Sequence, residues 1–140
     1  DIRGRSRTLR VNYRTSHQIR SHADRLLGPE ITDADGNVEA RNHTISAFNG
    51  VPPEISMHAD MEDEERHITE WIQSHLAAGA LPHEIGIFVR STNEIPRAQR
   101  AVQKANTPSN VLDDHIETTN GHVSIGTMHL AKGLEFRCVA

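Results

Sequence analysis

The sequence predicts an α/β fold, a parallel sheet with helices on both faces, on three observations. Ile85 to Val89 (IGIFV) is a short unbroken apolar run, the pattern of a strand buried on both sides. Stretches with helical periodicity stand before and after it. Two more strand-like runs, His122 to Thr127 and Phe136 to Ala140, come later. Strands alternating with helices of this length argue for parallel pairing, because parallel neighbours need a crossover connection.

Thr8 to Asn12 alternates as a short strand does, and Thr15 or Ser16 can cap the helix that follows. Ile19, Ala23, Leu26 and Leu27 fall on one face of that helix, and Gly28-Pro29 supplies its stop signal. Ile31 to Pro53 contains Asp35-Gly36-Asn37 and Pro52-Pro53 and reads as loop, with room for a small hairpin. Glu54 to Ala59 is expected to be a strand. Asp60 and Asp63 then have capping-box spacing, and their charge suits the positive end of a helix dipole. The helix they open carries Ile68, Trp71, Ile72, His75 and Leu76 on one stripe and ends near Gly79. After IGIFV, Asn93 to Ala105 predicts a helix with Ile95, Ala98, Val102 and Ala105 inward and Pro96 tolerated in its first turn.

The chain has 140 residues, enough for one hydrophobic core, with 36% hydrophobic and 24% charged residues. That balance is globular rather than disordered. No run approaches the roughly 18 apolar residues of a membrane span. A net charge of −4 does not announce nucleic acid, although Arg3, Arg5, Arg7, Arg10, Arg14 and Arg20 crowd the beginning. The single Cys138 excludes an intrachain disulfide and fits a reducing compartment. Phe136 to Ala140 reads as a strand cut mid-domain, so the expectation is a fragment of a longer protein.

Two segments carry chemistry. In Leu9 to Ile19 (LRVNYRTSHQI), a strand, a Tyr-Arg turn and a capped helix place Tyr13 and Arg14 at the end of a sheet, where ligands gather in open α/β folds. Arginine offers a rigid fork of donors to phosphate and tyrosine a flat face to a base. An ordinary surface arginine beside a half-buried tyrosine fits this segment equally well. In Val123 to Phe136 (VSIGTMHLAKGLEF), Thr127, His129, Lys132 and Glu135 occupy one turn after a strand, with Gly126 and Gly133 permitting tight backbone. Such a turn can offer donors to phosphates and a carboxylate to a sugar hydroxyl. It is no P-loop: from Gly126, the positions that should hold Gly-Lys-Ser/Thr hold Ala131, Lys132 and Gly133.

NYRTS (Asn12 to Ser16) resembles motif IV, and GTMHLAKGLEF (Gly126 to Phe136) closely resembles motif V, of the UvrD/Rep/PcrA family of superfamily 1 DNA helicases. Ile85 to Pro108 looks like the strand and helix that carry an accessory motif between them. The resemblance covers most of the chain. It implies that residues 1–140 are part of the second RecA-like motor domain, a three-layer parallel sheet. Arg14 would reach across the interdomain cleft to the γ-phosphate of ATP, and Tyr13 would stack at the adenine. Glu135 would contact the ribose, with Gly133 letting the backbone approach. Thr127 and His129, with Arg90, would touch the backbone of single-stranded DNA. Thr92 stands where the family more often has Asn, a departure from the pattern, and no DNA contact is carried over to it. ATP and Mg2+ would be held mainly by a first RecA-like domain, whose motifs this sequence lacks. The large helical subdomain that the family inserts before motif V would be absent or vestigial, at about 109–122. The implied protein is a cytoplasmic, nucleoid-associated ATP-dependent helicase of DNA repair type moving 3′ to 5′, and this fragment alone would be inactive.

Plainer readings stand beside these. Ten histidines show no HxH, HExxH or cysteine-partnered spacing, so no metal site is expected. Asp113-Asp114 reads as a turn, Cys138 as a strand residue and Trp71 as core. Two alternatives to a working helicase remain: a catalytically inactive helicase-like module that binds DNA or serves structure, and the motor part of a helicase-nuclease.

Overall fold

The computed structural model describes residues 11–26, 30–32, 38–40, 45–113 and 117–140. The expected strand residues Thr8 to Arg10, the Gly28-Pro29 stop, the Asp35-Gly36-Asn37 turn and Asp114 lie outside these. The chain divides into two compact units, residues 1–56 and 57–140.

In the first unit β1 (Val11–Asn12) pairs in parallel with β4 (Ile45–Ser46). Between them lie α1 (His17–Asp24) and an antiparallel hairpin of β2 (Glu30–Thr32) and β3 (Val38–Ala40). Ser16 proves to be the cap, its hydroxyl accepting the Ile19 N–H at 3.4 Å. The apolar stripe of α1 is less protected than its spacing suggests: Ile19 and Leu26 are exposed, and no residue of the helix is buried. Two-residue strands offer too little surface to cover a helix face. Glu54 to Ala59 forms no strand. Its end is drawn instead into the cap of the next helix, where the Asp63 carboxylate accepts the Ala59 N–H and meets Nδ1 of His58 at 3.3 Å.

In the second unit α2 (Met61–Ala77) opens on that cap: Asp60 accepts the Asp63 N–H at 2.8 Å. The helix gives way at Gly79, whose φ of 90° suits glycine. Then come β5 (Ile85–Val89), a 3₁₀ turn over Thr92–Glu94, α3 (Ile95–Lys104), β6 (Ser109–Val111), β7 (Val123–Thr127) and β8 (Cys138–Val139). The four strands form one parallel sheet in the order β6-β7-β5-β8. β6 arises from the span expected to hold a vestigial insertion, and it pairs with β7 from Ser109↔Val123 to Val111↔Ile125.

Alternation along the strands separates two faces. Ile85, Ile87, Val123 and Ile125 share a core with Ile72 of α2 and with Ala98 and Val102 of α3. Ile72, Ile85, Val102, Val123 and Ile125 are fully buried, each contributing about 1.5–3 kcal/mol by leaving water. The opposite face carries Gly86, Phe88, Ser124 and Gly126. There the Phe136 ring lies against Gly86 and edge-on to Phe88, with centroids 5.7 Å apart, while Leu112 covers Gly126. Helices were expected on both faces; among the described residues of this unit they occupy one, and side chains cover the other.

Glu65 and Thr69, both buried, fasten α2 to α3. The Glu65 carboxylate accepts Nε of Arg100 at 2.9 Å and Nζ of Lys104 at 2.7 Å. The Thr69 hydroxyl lies 2.7 Å from the Glu65 carbonyl and 3.2 Å from that of Ala101.

Candidate functional site

In the first unit, Tyr13 and Arg14 occupy the turn between β1 and α1, and both are exposed, Tyr13 by 74%. Asn12 shapes this turn. Its side-chain oxygen accepts the Arg14 N–H at 2.8 Å and the Thr15 N–H at 3.2 Å. The Ser16 cap closes the far end, and Gly50 passes so near that a Cβ there would lie 2.8 Å from that of Ser16. Gln18 secures the crossing by accepting the Gly50 N–H at 2.7 Å.

In the second unit, β5 and β7 are adjacent and parallel, with Val89 opposite Thr127, so both end at one edge of the sheet. Exposed Arg90 follows β5 there, its backbone N–H and that of Ser91 both accepted by Glu94 Oε2 at 3.0 and 3.1 Å. Thr127 ends β7, and a 3₁₀ turn over Met128–Ala131 carries exposed His129, whose Nδ1 is 3.0 Å from the Thr127 hydroxyl. This edge therefore brings Arg90, Thr127 and His129 together.

Gly133 and Glu135 go elsewhere. The chain turns at Gly133, where φ is 88°, then returns toward the beginning of β5. The Arg137 N–H is accepted by the Glu84 carbonyl at 2.9 Å, and Cys138 stands opposite Ile85. Glu135 thus lies toward the amino end of β5, separated from Thr127 and His129 by the return, where sequence had grouped all of them in one turn. Near it, the Leu81 N–H and then Arg137 hold the Glu84 carboxyl below its usual range.

Charge distinguishes the carboxyl edge from the rest of the unit. Arg66, Arg97, Arg100, Lys104 and Arg137 all form ion pairs. Among the described residues Arg90 and Lys132 form none; Arg90 directly follows β5, and Lys132 ends the 3₁₀ turn that follows β7. Two surface hollows, one between α3 and β6 and one along α2, contain none of the candidate nucleotide- or DNA-binding residues. Among the described residues no cluster of His, Cys, Asp or Glu is arranged to hold a metal ion, and no helix is long and apolar enough to cross a membrane.

No protein-family model, curated protein or solved structure matches this chain. Its chemistry is accordingly read from its own residues. Two features escaped sequence reasoning: the unpaired state of Lys132 and the Asn12 turn. A signal for the second was present, since asparagine side chains commonly bond backbone N–H groups two residues on.

Proposed function

We propose that this chain is part of the second, RecA-like motor domain of an ATP-dependent DNA helicase or translocase similar to the UvrD/Rep/PcrA family. The observation that carries this reading is the GTMHLAKGLEF segment, which starts at the sheet edge next to Arg90 and runs through Lys132, two cations without an ion pair among the described residues. Phosphate contacts fix the position of a nucleic-acid strand without reading its sequence, and cations, hydroxyls and imidazoles make them. Arg90 and His129 contact single-stranded DNA in this reading, with Thr127, which is only 3% exposed, holding His129 through its hydroxyl rather than reaching the strand itself, while Glu135, set apart from them, receives the ribose of ATP. Gly133 keeps the approach to Glu135 free of a side chain.

Arg14 is the arginine finger. ATP and Mg2+ are held mainly by the first motor domain, and Tyr13 stacks at the adenine. The Arg14 guanidinium meets the γ-phosphate when the cleft closes and stabilises charge that develops during phosphoryl transfer. Such fingers contribute on the order of 10³–10⁵ in rate. Closure and hydrolysis are thereby coupled, and DNA contacts convert each cycle into a step along the strand.

The test is ATP hydrolysis by the complete motor polypeptide, with and without single-stranded DNA, beside Arg14→Ala. DNA should stimulate turnover, and the variant should lose at least a hundredfold in kcat while still binding ATP. Turnover indifferent to DNA, or unchanged in the variant, would refute the motor reading and leave an inactive DNA-binding module.

A further inference from the structure

We infer that Asn12 is a positioning residue for Arg14: it holds the arginine's backbone in the conformation from which the guanidinium reaches phosphate. The inference rests on reading Arg14 as the finger, and it adds the group that makes the finger efficient.

Asn12 is itself fixed. It pairs with Ser46 in the β1–β4 ladder, and its carbonyl accepts the Ala47 N–H at 2.8 Å. From this anchored position its side-chain oxygen accepts two successive N–H groups, those of Arg14 and Thr15. A carbonyl oxygen has two lone pairs, and both are used. Beyond Thr15 the chain is held again, because buried Ser16 caps α1 and the His17 N–H is accepted by the Phe48 carbonyl at 3.0 Å. Tyr13 and Arg14 are therefore a short exposed span tied down at both ends and in its middle.

The middle tie is the one a single substitution removes. Without it the residues around Arg14 regain backbone freedom, and that freedom must be lost again whenever the arginine engages phosphate. The effect falls on a group that acts when the cleft closes, so kcat should drop more than ATP binding weakens. Aspartate is nearly isosteric with asparagine and keeps the accepting oxygen, whereas alanine removes it.

The experiment is DNA-stimulated ATP hydrolysis by the complete motor polypeptide bearing Asn12→Ala, Asn12→Asp, Arg14→Ala or the Asn12→Ala/Arg14→Ala pair. Thermal unfolding is recorded for each, and assays run well below the lowest midpoint. Asn12→Ala should lower kcat about tenfold, the consequence of losing hydrogen bonds that contribute about one factor of ten, with KM for ATP changed less than twofold. Asn12→Asp should restore most of that loss. In the Arg14→Ala background Asn12→Ala should have no further effect, since its role passes through the arginine. If Arg14→Ala itself is without effect, the finger reading fails and this inference with it. If Arg14→Ala is impaired but Asn12→Ala keeps full kcat, the inference alone is overturned. It is equally overturned if Asn12→Asp stays impaired, or if Asn12→Ala slows the Arg14→Ala enzyme tenfold more, which is the signature of a general loss of structure.

Discussion

Replacing Glu65 by glutamine should destabilise the α2–α3 pairing, and the size of the effect follows from two ion pairs with unequal burial. The Glu65 side chain is 6% exposed, whereas Arg100 and Lys104 are each 55% exposed. Charge-assisted hydrogen bonds contribute about 1.5–3 kcal/mol each when well formed. Here the cations recover water once released, so both bonds together are worth about 2 kcal/mol. Glutamine keeps the volume but turns an amide N–H₂ toward one of the two donors. The unfolding midpoint of the chain, followed by circular dichroism, should fall by roughly 5–10 °C at pH 7. Lys104 first, then Arg100, holds the Glu65 carboxyl below its usual range, against the opposing effect of burial. A depressed folded-state pKa means the stabilisation is full above about 4.3, where an unfolded glutamate ionises, and is lost as pH falls through the lower folded value. The gap between wild type and Glu65→Gln should therefore hold from pH 7 to about pH 5 and close in stronger acid. A gap that persists unchanged in acid would assign the loss to packing and refute the ionic account.

Other consequences are open to direct measurement. If the motor reading holds, Arg90→Ala and Lys132→Ala should each reduce the magnitude of the negative slope of log affinity for oligo(dT) against log salt by about 0.7, the value for one single-strand phosphate contact. An unaltered slope in both variants would count against single-stranded DNA at this edge. Gly86→Ala should cost about 1–3 kcal/mol by overpacking, because its Cβ would lie 2.9 Å from both the Phe136 and Phe88 rings. Combining it with Phe136→Leu should cost less than the sum of the two single changes, and strict additivity in chemical unfolding would count against the contact.

How much of this was readable in advance depended on how far apart in sequence the responsible residues stand. The stripes of α2 and α3, the Asp60 cap and the buried strands β5 and β7 are local patterns, and they were legible. β6 was missed because Ser109–Val111 is short and polar; it is a strand only because β7 offers it a ladder. Glu54 to Ala59 failed for the opposite reason: it has a plausible strand composition, but its end is held by Asp63. That helices cover one face of the second unit among its described residues was likewise invisible, since it depends on which elements meet. At the site, residue types marked two segments as candidates for polar chemistry. They could not reveal that the return through Gly133 carries Glu135 away from His129, a consequence of β8 pairing in parallel with β5.

That return also bears on how one segment can answer to two ligands. Thr127 stands in the ladder opposite Val89 at one end of β5, while the Arg137 N–H is bonded to the Glu84 carbonyl at the other. The path between them runs the length of β5, roughly 16 Å for five extended residues. It is pinned once more on the way, where the Phe136 ring meets Gly86. A span attached to one strand at both ends cannot shift at either end without breaking ladder bonds or moving the strand. In the proposed motor, DNA is held at the Thr127 end and the nucleotide at the Glu135 end. Both ligands then bear on β5, and β5 also leads into Arg90. On that reading, a displacement caused by nucleotide at one end is expected to reach the DNA contacts through this strand. Loosening the Phe136–Gly86 contact should consequently impair the coupling of hydrolysis to DNA binding more than either activity measured alone.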